Sequence, residues 1–214
     1  MYGTATNCLI YNTIATCYVY DPILFICART GVANTSSQCT NGFISMDSLS
    51  TLSVRSLQRR NRAQRIIPSL NFTCDGAISK WIIRALWNDS GTAFPDLQIW
   101  RSSSGNGVYT KVGNTTLSAT AENTSSVYEL AVKPSLPFQR GDVLGIFQPS
   151  TQLSRLRIHY RTENGTPQNF VFRPPAASSV TEPLLESFTT TSSNVIIQSA
   201  LPLVTVEICK PLNL

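Results

Sequence analysis

The chain has 214 residues, 42% of them hydrophobic and 14% charged, which is too apolar for a disordered polypeptide and long enough to bury a substantial core. Its formal net charge of +5 invites a nucleic-acid reading, but residues 71–209 carry ten Lys and Arg against ten Asp and Glu. The excess sits in Arg29, Lys210 and the cluster Arg55, Arg59, Arg60, Arg62 and Arg65, so the main domain offers no basic face to follow a phosphate backbone and no nucleic-acid partner is expected.

Residues 1–44 form a Cys-rich first segment, with Cys8, Cys17, Cys27 and Cys39 spaced nine, ten and twelve residues apart among Tyr and Ile. Cys74 and Cys209 complete an even set of six, with no CxxC pair and a single histidine, His159. Disulfides are therefore expected, and neither a metal nor another cofactor is. So short a segment has too little core to fold unaided. Two local disulfides are expected there, in any of three pairings, with a bond from Cys39 to Cys74 as the alternative.

The apolar stretch 8–28 is broken by Asn12, Asp21 and Pro22. It makes neither a membrane span nor a signal peptide, so no direct membrane insertion is expected, and Met1 is expected to begin a mature fragment without its signal. Six N-x-S/T sequons occur, at Asn34, Asn71, Asn88, Asn114, Asn123 and Asn164. Together with the cysteines they point to an extracellular glycoprotein, secreted or displayed on a cell surface.

Residues 45–66 place Met46, Leu49, Leu52 and Leu57 near helical spacing, with Ser45 available as an N-cap and arginines toward the other end. One amphipathic helix from Ser45 to about Arg65 is expected. Its basic end fits the R-x-x-R pattern of secretory convertases twice, giving processing sites after Arg62 and Arg65. The commoner meaning of such a run is a solvated helix end.

From residue 67 to 214 the pattern turns to period two. In 77–87 the odd positions read Ala77, Ser79, Trp81, Ile83, Ala85 and Trp87, as in a strand with one buried face. Further strands are expected at 97–101, 108–112, 127–132, 143–148, 153–161, 169–172, 195–198 and 203–208, bounded by Gly, Pro, Asn or Ser. These make about nine strands, as in an antiparallel β-sandwich or jelly roll preceded by a short helix and the disulfide-rich segment. Residues 173–194 read as one long loop.

The phrases NFTCDGAISKW, PDLQIWR, VYTKV, SVYEL, PFQRGDVLGIFQP and PLVTVEI, in this order and spacing over residues 66–208, resemble an uncharacterised extracellular β-sandwich module of secreted and cell-surface proteins of marine invertebrates. The resemblance implies an adhesion, matrix or receptor-ectodomain setting and brings no catalytic residues with it. Because the first and last strands of a sandwich often lie side by side, a bond between Cys74 and Cys209 is expected on geometric grounds.

Arg140-Gly141-Asp142 spells the integrin tripeptide, which makes Arg140 and Asp142 candidate ligand contacts; the plainer reading is a turn that launches the strand after it. His159 lies in an alternating segment with no nucleophile elbow in the chain. Asp75, Asp89, Asp96 and Glu129 single out no pair for glycoside hydrolysis. Trp87, Trp100, Tyr109 and Tyr160 could stack on a sugar. Trp81 and Trp87 share the apolar parity of their strand, whereas Trp100 falls opposite Leu97 and Ile99 and is the tryptophan expected to be exposed.

These readings favour a non-enzymatic extracellular adhesion, matrix or receptor-ectodomain module whose partner is an extracellular protein or glycan. A lectin-like carbohydrate-binding module is the alternative. The second alternative is a homo-oligomer or filament, in which residues 1–40 pack on a neighbouring copy.

Overall fold

The computed structural model describes residues 8–9, 16–21, 26–30, 39–53, 62–103, 107–119, 126–150, 152–162, 168–172 and 185–209. The fold is mainly β and its named strands pair antiparallel. Strands β1 (Cys8–Leu9), β2 (Thr16–Asp21) and β3 (Ile26–Thr30) form a small sheet of their own in the order β1-β2-β3. Fourteen more follow: β4 (Thr40–Asn41), β5 (Ala63–Phe72), β6 (Gly76–Trp87), β7 (Asp96–Ser103), β8 (Val108–Thr116), β9 (Val127–Phe138), β10 (Val143–Gln148), β11 (Leu156–Ile158), β12 (Tyr160–Arg161), β13 (Gln168–Phe172), β14 (Ser187–Thr189), β15 (Val195–Ser199), β16 (Leu201–Pro202) and β17 (Val204–Cys209).

Each of the nine expected strands has a counterpart. The surplus comes from β4, β5 and β14, which the sequence pattern does not announce, and from the division of 153–161 and of the last strand into shorter pieces. β14 lies in the stretch expected to be a loop, of which residues 173–184 are outside the described part.

An eight-stranded sheet runs β14-β8-β7-β10-β5-β13-β15, with β4 also on β5, and a four-stranded sheet joins β9, β17 and β11 to β6. β12 and β16 pair with each other. One apolar core draws on both larger sheets: Ile67, Leu70, Phe72, Leu97, Ile99, Leu144 and Ile146 from the first, and Ile78, Trp81, Ile83, Tyr128, Val132, Leu156, Val204 and Val206 from the second.

The eight-stranded sheet curls. Tyr109 of β8 and Phe170 of β13 have three strands between them, which in a flat sheet would hold them about 19 Å apart. Their ring centroids are 6.4 Å apart. The face away from the main core therefore closes on itself, around Ile66, Trp100, Val143 and Phe188.

The expected helix to Arg65 is not formed. α1 spans Met46–Leu49 alone, and β5 starts at Ala63 with residues 54–61 outside the described part. Ser45 sits at the N-cap without a side-chain capping bond. The serines and threonine of this stretch bond locally instead, Ser45 Oγ to Ser48 Oγ at 2.7 Å and Thr51 Oγ1 to the Ser48 carbonyl at 3.2 Å, a competition that disfavours continued helix. Ile44 and Leu49 dock on Ile82 and Leu203. Arg84 Nη1 donates to the Leu49 and Leu52 carbonyls at 3.1 and 2.6 Å, serving as the cation that satisfies the helix end. No helix among the described residues is long and apolar enough to cross a membrane.

In β6 the odd-parity face is buried at Trp81, Ile83 and Ala85. A register shift between Ile78 and Lys80 against β9 reverses the parity before that point, so Ile78 enters the core where Ala77 and Ser79 were expected. In β5 the pairing with β10 is broken between Ile67 and Asn71, where Pro68 cannot supply an amide to the ladder.

Candidate functional site

The turn between β9 and β10 holds Arg140-Gly141-Asp142. Gly141 has φ +90°, a conformation that favours glycine, and its amide donates to the Phe72 carbonyl at 2.8 Å. Asp142 is 1% exposed. Its Oδ1 accepts from Arg101 Nε at 2.8 Å, and its Oδ2 from Arg101 Nη2 at 2.9 Å and from the Gln139 amide at 2.8 Å. This bonding to Asp142 holds the Arg101 guanidinium above its ordinary pKa, against the opposing effect of burial. Arg140 turns its Nε to the Thr73 carbonyl at 2.9 Å, while its amide donates to Asp75 Oδ1 at 2.8 Å. The tripeptide thus locks β9 and β10 to β5. With its carboxylate buried and filled, the integrin reading is withdrawn.

The same corner carries the disulfide Cys39–Cys74, with 5.1 Å between the Cα atoms. The Thr73 amide donates to the Cys39 carbonyl at 2.9 Å, and Phe72 stacks on Phe138 at 4.0 Å and meets the tilted ring of Phe43 at 5.4 Å. The expected Cys74–Cys209 bond is therefore overturned in favour of the alternative. The geometric premise was sound, because β17 does lie beside β6, with Cys209 opposite Ala77. Cys209 is nevertheless disulfide-bonded to a different cysteine. Among the described residues no cysteine is free, and the side chains of Cys8, Cys17 and Cys27 lie outside the described part.

Trp100 is 0% exposed, which corrects the expectation that it faces solvent. Its parity does point away from the main core, but the curl of the sheet covers that face as well. The indole packs over Gly145, where an added Cβ would come within 2.3 Å of the ring, and meets Phe188 edge-on at 6.5 Å. Its Nε1 donates to Gln98 Oε1 at 2.9 Å, and Gln98 Nε2 donates to Asp96 Oδ2 at 2.9 Å. Asn114 Nδ2 and Thr116 Oγ1 donate to Asp96 Oδ1 at 2.9 and 3.0 Å. The result is a buried polar file along β7 whose members satisfy one another, as buried amides and carboxylates require. Half-buried Tyr109, Phe170, Phe172, Leu185 and Val195 pack around it.

Of the other aromatics weighed for stacking, Tyr160 is 2% exposed. Trp87 donates Nε1 to Asp89 at 2.7 Å and has the Arg155 guanidinium 5.4 Å above its ring. Trp87 and Tyr109 are the two of the four that stay partly exposed, and burial raises the Tyr109 phenol pKa.

His159 is half-buried in the connection between β11 and β12. Burial lowers its pKa, and the charge of Arg84 acts in the same direction; its Nδ1 has no hydrogen-bond partner. Its charged neighbour is the cation Arg84, and among the described residues no carboxylate is bonded to it to orient it as a general base. Asp75, Asp89, Asp96 and Glu129 are each engaged in separate contacts, Glu129 with Lys80 at 2.9 Å. Among the described residues no group of three or more His, Cys, Asp or Glu could hold a metal ion.

Asn88 and Asn114 have their Nδ2, the glycan-accepting atom, engaged with the Ser154 carbonyl at 3.0 Å and with Asp96. Asn71 lies in β5 opposite Asn41 and Val143, while Asn34, Asn123 and Asn164 lie outside the described residues. Of the two processing positions, Arg62 immediately precedes β5. Arg65 is 3% exposed and paired on both sides, to Ile146 of β10 and Val171 of β13. Cleavage after Arg65 would cut a central strand, so that site is withdrawn. Arg59 and Arg60 lie outside the described part.

Neither the burial of Trp100 nor the buried pairing of Arg65 was readable from local pattern. The signal for Trp100 was Gly145, two strands' worth of sequence away. Compared with known proteins, the chain matches no family, no curated protein and no solved structure.

Proposed function

We propose that this chain is a non-enzymatic extracellular recognition module of the adhesion, matrix or receptor-ectodomain kind, built as a two-sheet β-sandwich related to the jelly rolls. The observation that carries the proposal is the oxidised cysteine set: Cys39–Cys74 ties the end of the Cys-rich segment to the turn between β5 and β6, and Cys209 at the end of β17 is also bonded. Such stapling belongs to an oxidising compartment. It would hold a rigid surface for a protein or glycan partner, at little entropic cost on binding.

The test is expression through a eukaryotic secretory pathway, followed by attachment of cells and matrix proteins to the coated product. Secreted, fully oxidised protein that supports saturable attachment is the expected result. Free thiols in the secreted product, or no attachment above an inert coat, would defeat the reading.

Self-assembly is a second reading, favoured by β15. This strand is at an edge of the large sheet, and Ile197 on it is 58% exposed, the kind of edge that invites strand addition. Light scattering that rises with concentration in the wild type and not in Ile197→Lys supports it; a strictly monomeric protein at high concentration opposes it. The carbohydrate reading loses Trp100 and Tyr160 and would now depend on Trp87 and Tyr109.

A further inference from the structure

Arg65 is turned toward the core between the sheets. Its guanidinium carbon lies 5.1 Å from the Tyr160 ring centroid, and the residue is 3% exposed. Its Nε and Nη1 have no hydrogen-bond partner, and it forms no ion pair among the described residues. The Tyr160 hydroxyl, on a residue 2% exposed, has no hydrogen bond of good geometry, although burial raises its phenol pKa and the Arg65 guanidinium lies near enough to lower it in part. Asn169 is two residues along β13 from Val171, the residue opposite Arg65, and therefore shares that face. It is 0% exposed; its Nδ2 donates to the Ala200 carbonyl and its Oδ1 has no partner.

Three elements thus bring unsatisfied polar groups into one buried region, and the region carries one formal positive charge. Water could complete the hydrogen bonds. It would leave the charge uncompensated, and an unpaired buried charge is far costlier than an unmade neutral hydrogen bond. We propose that Arg65 and Tyr160 bind a small monovalent anion, halide or carboxylate in class, through Arg65 Nε and Nη1 and the Tyr160 hydroxyl. Asn169 Oδ1 is an acceptor and would repel an anion, so it belongs to the hydration of the site and not to its ligand set. The anion would bridge β5 of the eight-stranded sheet and β12, which lies in the chain between β11 of the four-stranded sheet and β13 of the eight-stranded one.

The intact protein is melted while chloride, bromide or formate is titrated at constant ionic strength, with bulky gluconate as the balancing anion. A saturable rise is expected, about 5 °C or more when the anion exceeds its dissociation constant a hundredfold. Arg65→Met should abolish the dependence and lose little stability in gluconate, since an isosteric apolar side chain removes the charge that needs the anion. Should that variant fail to fold, Tyr160→Phe keeps the packing and is expected to weaken anion affinity about tenfold. Crystals grown with bromide should show anomalous density beside Arg65 and Tyr160. Melting that is indifferent to all three anions, a dependence unchanged in both variants, or water alone beside Arg65 at saturating bromide would overturn the proposal.

Discussion

Arg101 and Asp142 grip each other through two parallel hydrogen bonds of 2.8 and 2.9 Å, and they are unequal partners, with the Asp142 side chain 1% and the Arg101 side chain 43% exposed. Loss of the arginine strands a buried carboxylate, whereas loss of the carboxylate leaves an arginine that can turn to water. Arg101→Ala should therefore cost about 2–4 kcal/mol, allowing for solvent screening of the exposed partner. Asp142→Asn, which keeps an acceptor for the Gln139 amide, should cost about 1–2 kcal/mol. Urea unfolding of both variants and the double mutant checks this, and a larger loss for Asp142→Asn would contradict the asymmetry. By the same burial, a soluble Arg-Gly-Asp peptide should leave any cell attachment to this protein unchanged.

Trp100 and Gly145 define a second prediction. The indole occupies the space a side chain at 145 would need, so Gly145→Ala must displace it and should destabilise by about 1–3 kcal/mol. Trp100→Phe retains most of the packing but leaves Gln98 Oε1 without its buried donor, for about 1–3 kcal/mol. Trp100→Ala should cost about 3–5 kcal/mol. Thermal melts read all three. If Trp100→Ala kept wild-type stability while losing binding to a glycan, the residue would be a contact after all and its buried role would fail.

Trp100 also marks the limit of what the chain reveals about itself. Alternation along β7 correctly separates Leu97 and Ile99 from Trp100, because a strand has two faces and the period is two. Whether the second face meets water depends on the curl that brings Tyr109 to Phe170, a property of the five strands from β8 to β13 together and not of any one. β6 was legible for the same local reason, apart from the bulge before Lys80 that shifts Ile78 inward. Arg65 misled in the opposite sense: arginines clustered in sequence imply a wet helix end, yet Ile66 and Ile67 beside it pull the segment into a central strand. Phe188 announced β14 too weakly to be noticed, since three residues show no periodicity.

Cys39 and Cys74 are separated by 35 residues, so closing that loop should stabilise by about 4 kcal/mol in the chain-entropy estimate. The Cys39→Ala/Cys74→Ala double variant is expected to lose about that much, with the loss reduced if β4 stays paired to β5. Peptide mapping without reduction should recover Cys39 linked to Cys74, and Cys209 linked to some other cysteine. A Cys74–Cys209 peptide from the native protein would refute the corner described for β5 and β6.

His159 gives the fold a definite response to acid. Its ordinary pKa is 6.5, and in the folded chain burial first, and then the charge of Arg84, lower it. Between the lowered value and 6.5 the unfolded chain binds more protons at this position than the folded one. Stability from this group is therefore fully present above about pH 6.5 and declines as pH falls toward the folded value. His159→Gln should flatten that part of the stability curve, measured as urea midpoints from pH 8 to pH 5. The local consequence follows from Arg84, which also holds the Leu49 and Leu52 carbonyls: a charged imidazole beside it repels the cation that anchors α1. Amide exchange at Thr51 and Leu52, both bonded to the Ser48 carbonyl, should therefore accelerate on acidification in the wild type, after correction for intrinsic rates, and not in His159→Gln. Equal pH profiles in the two proteins would show that other groups set the acid response.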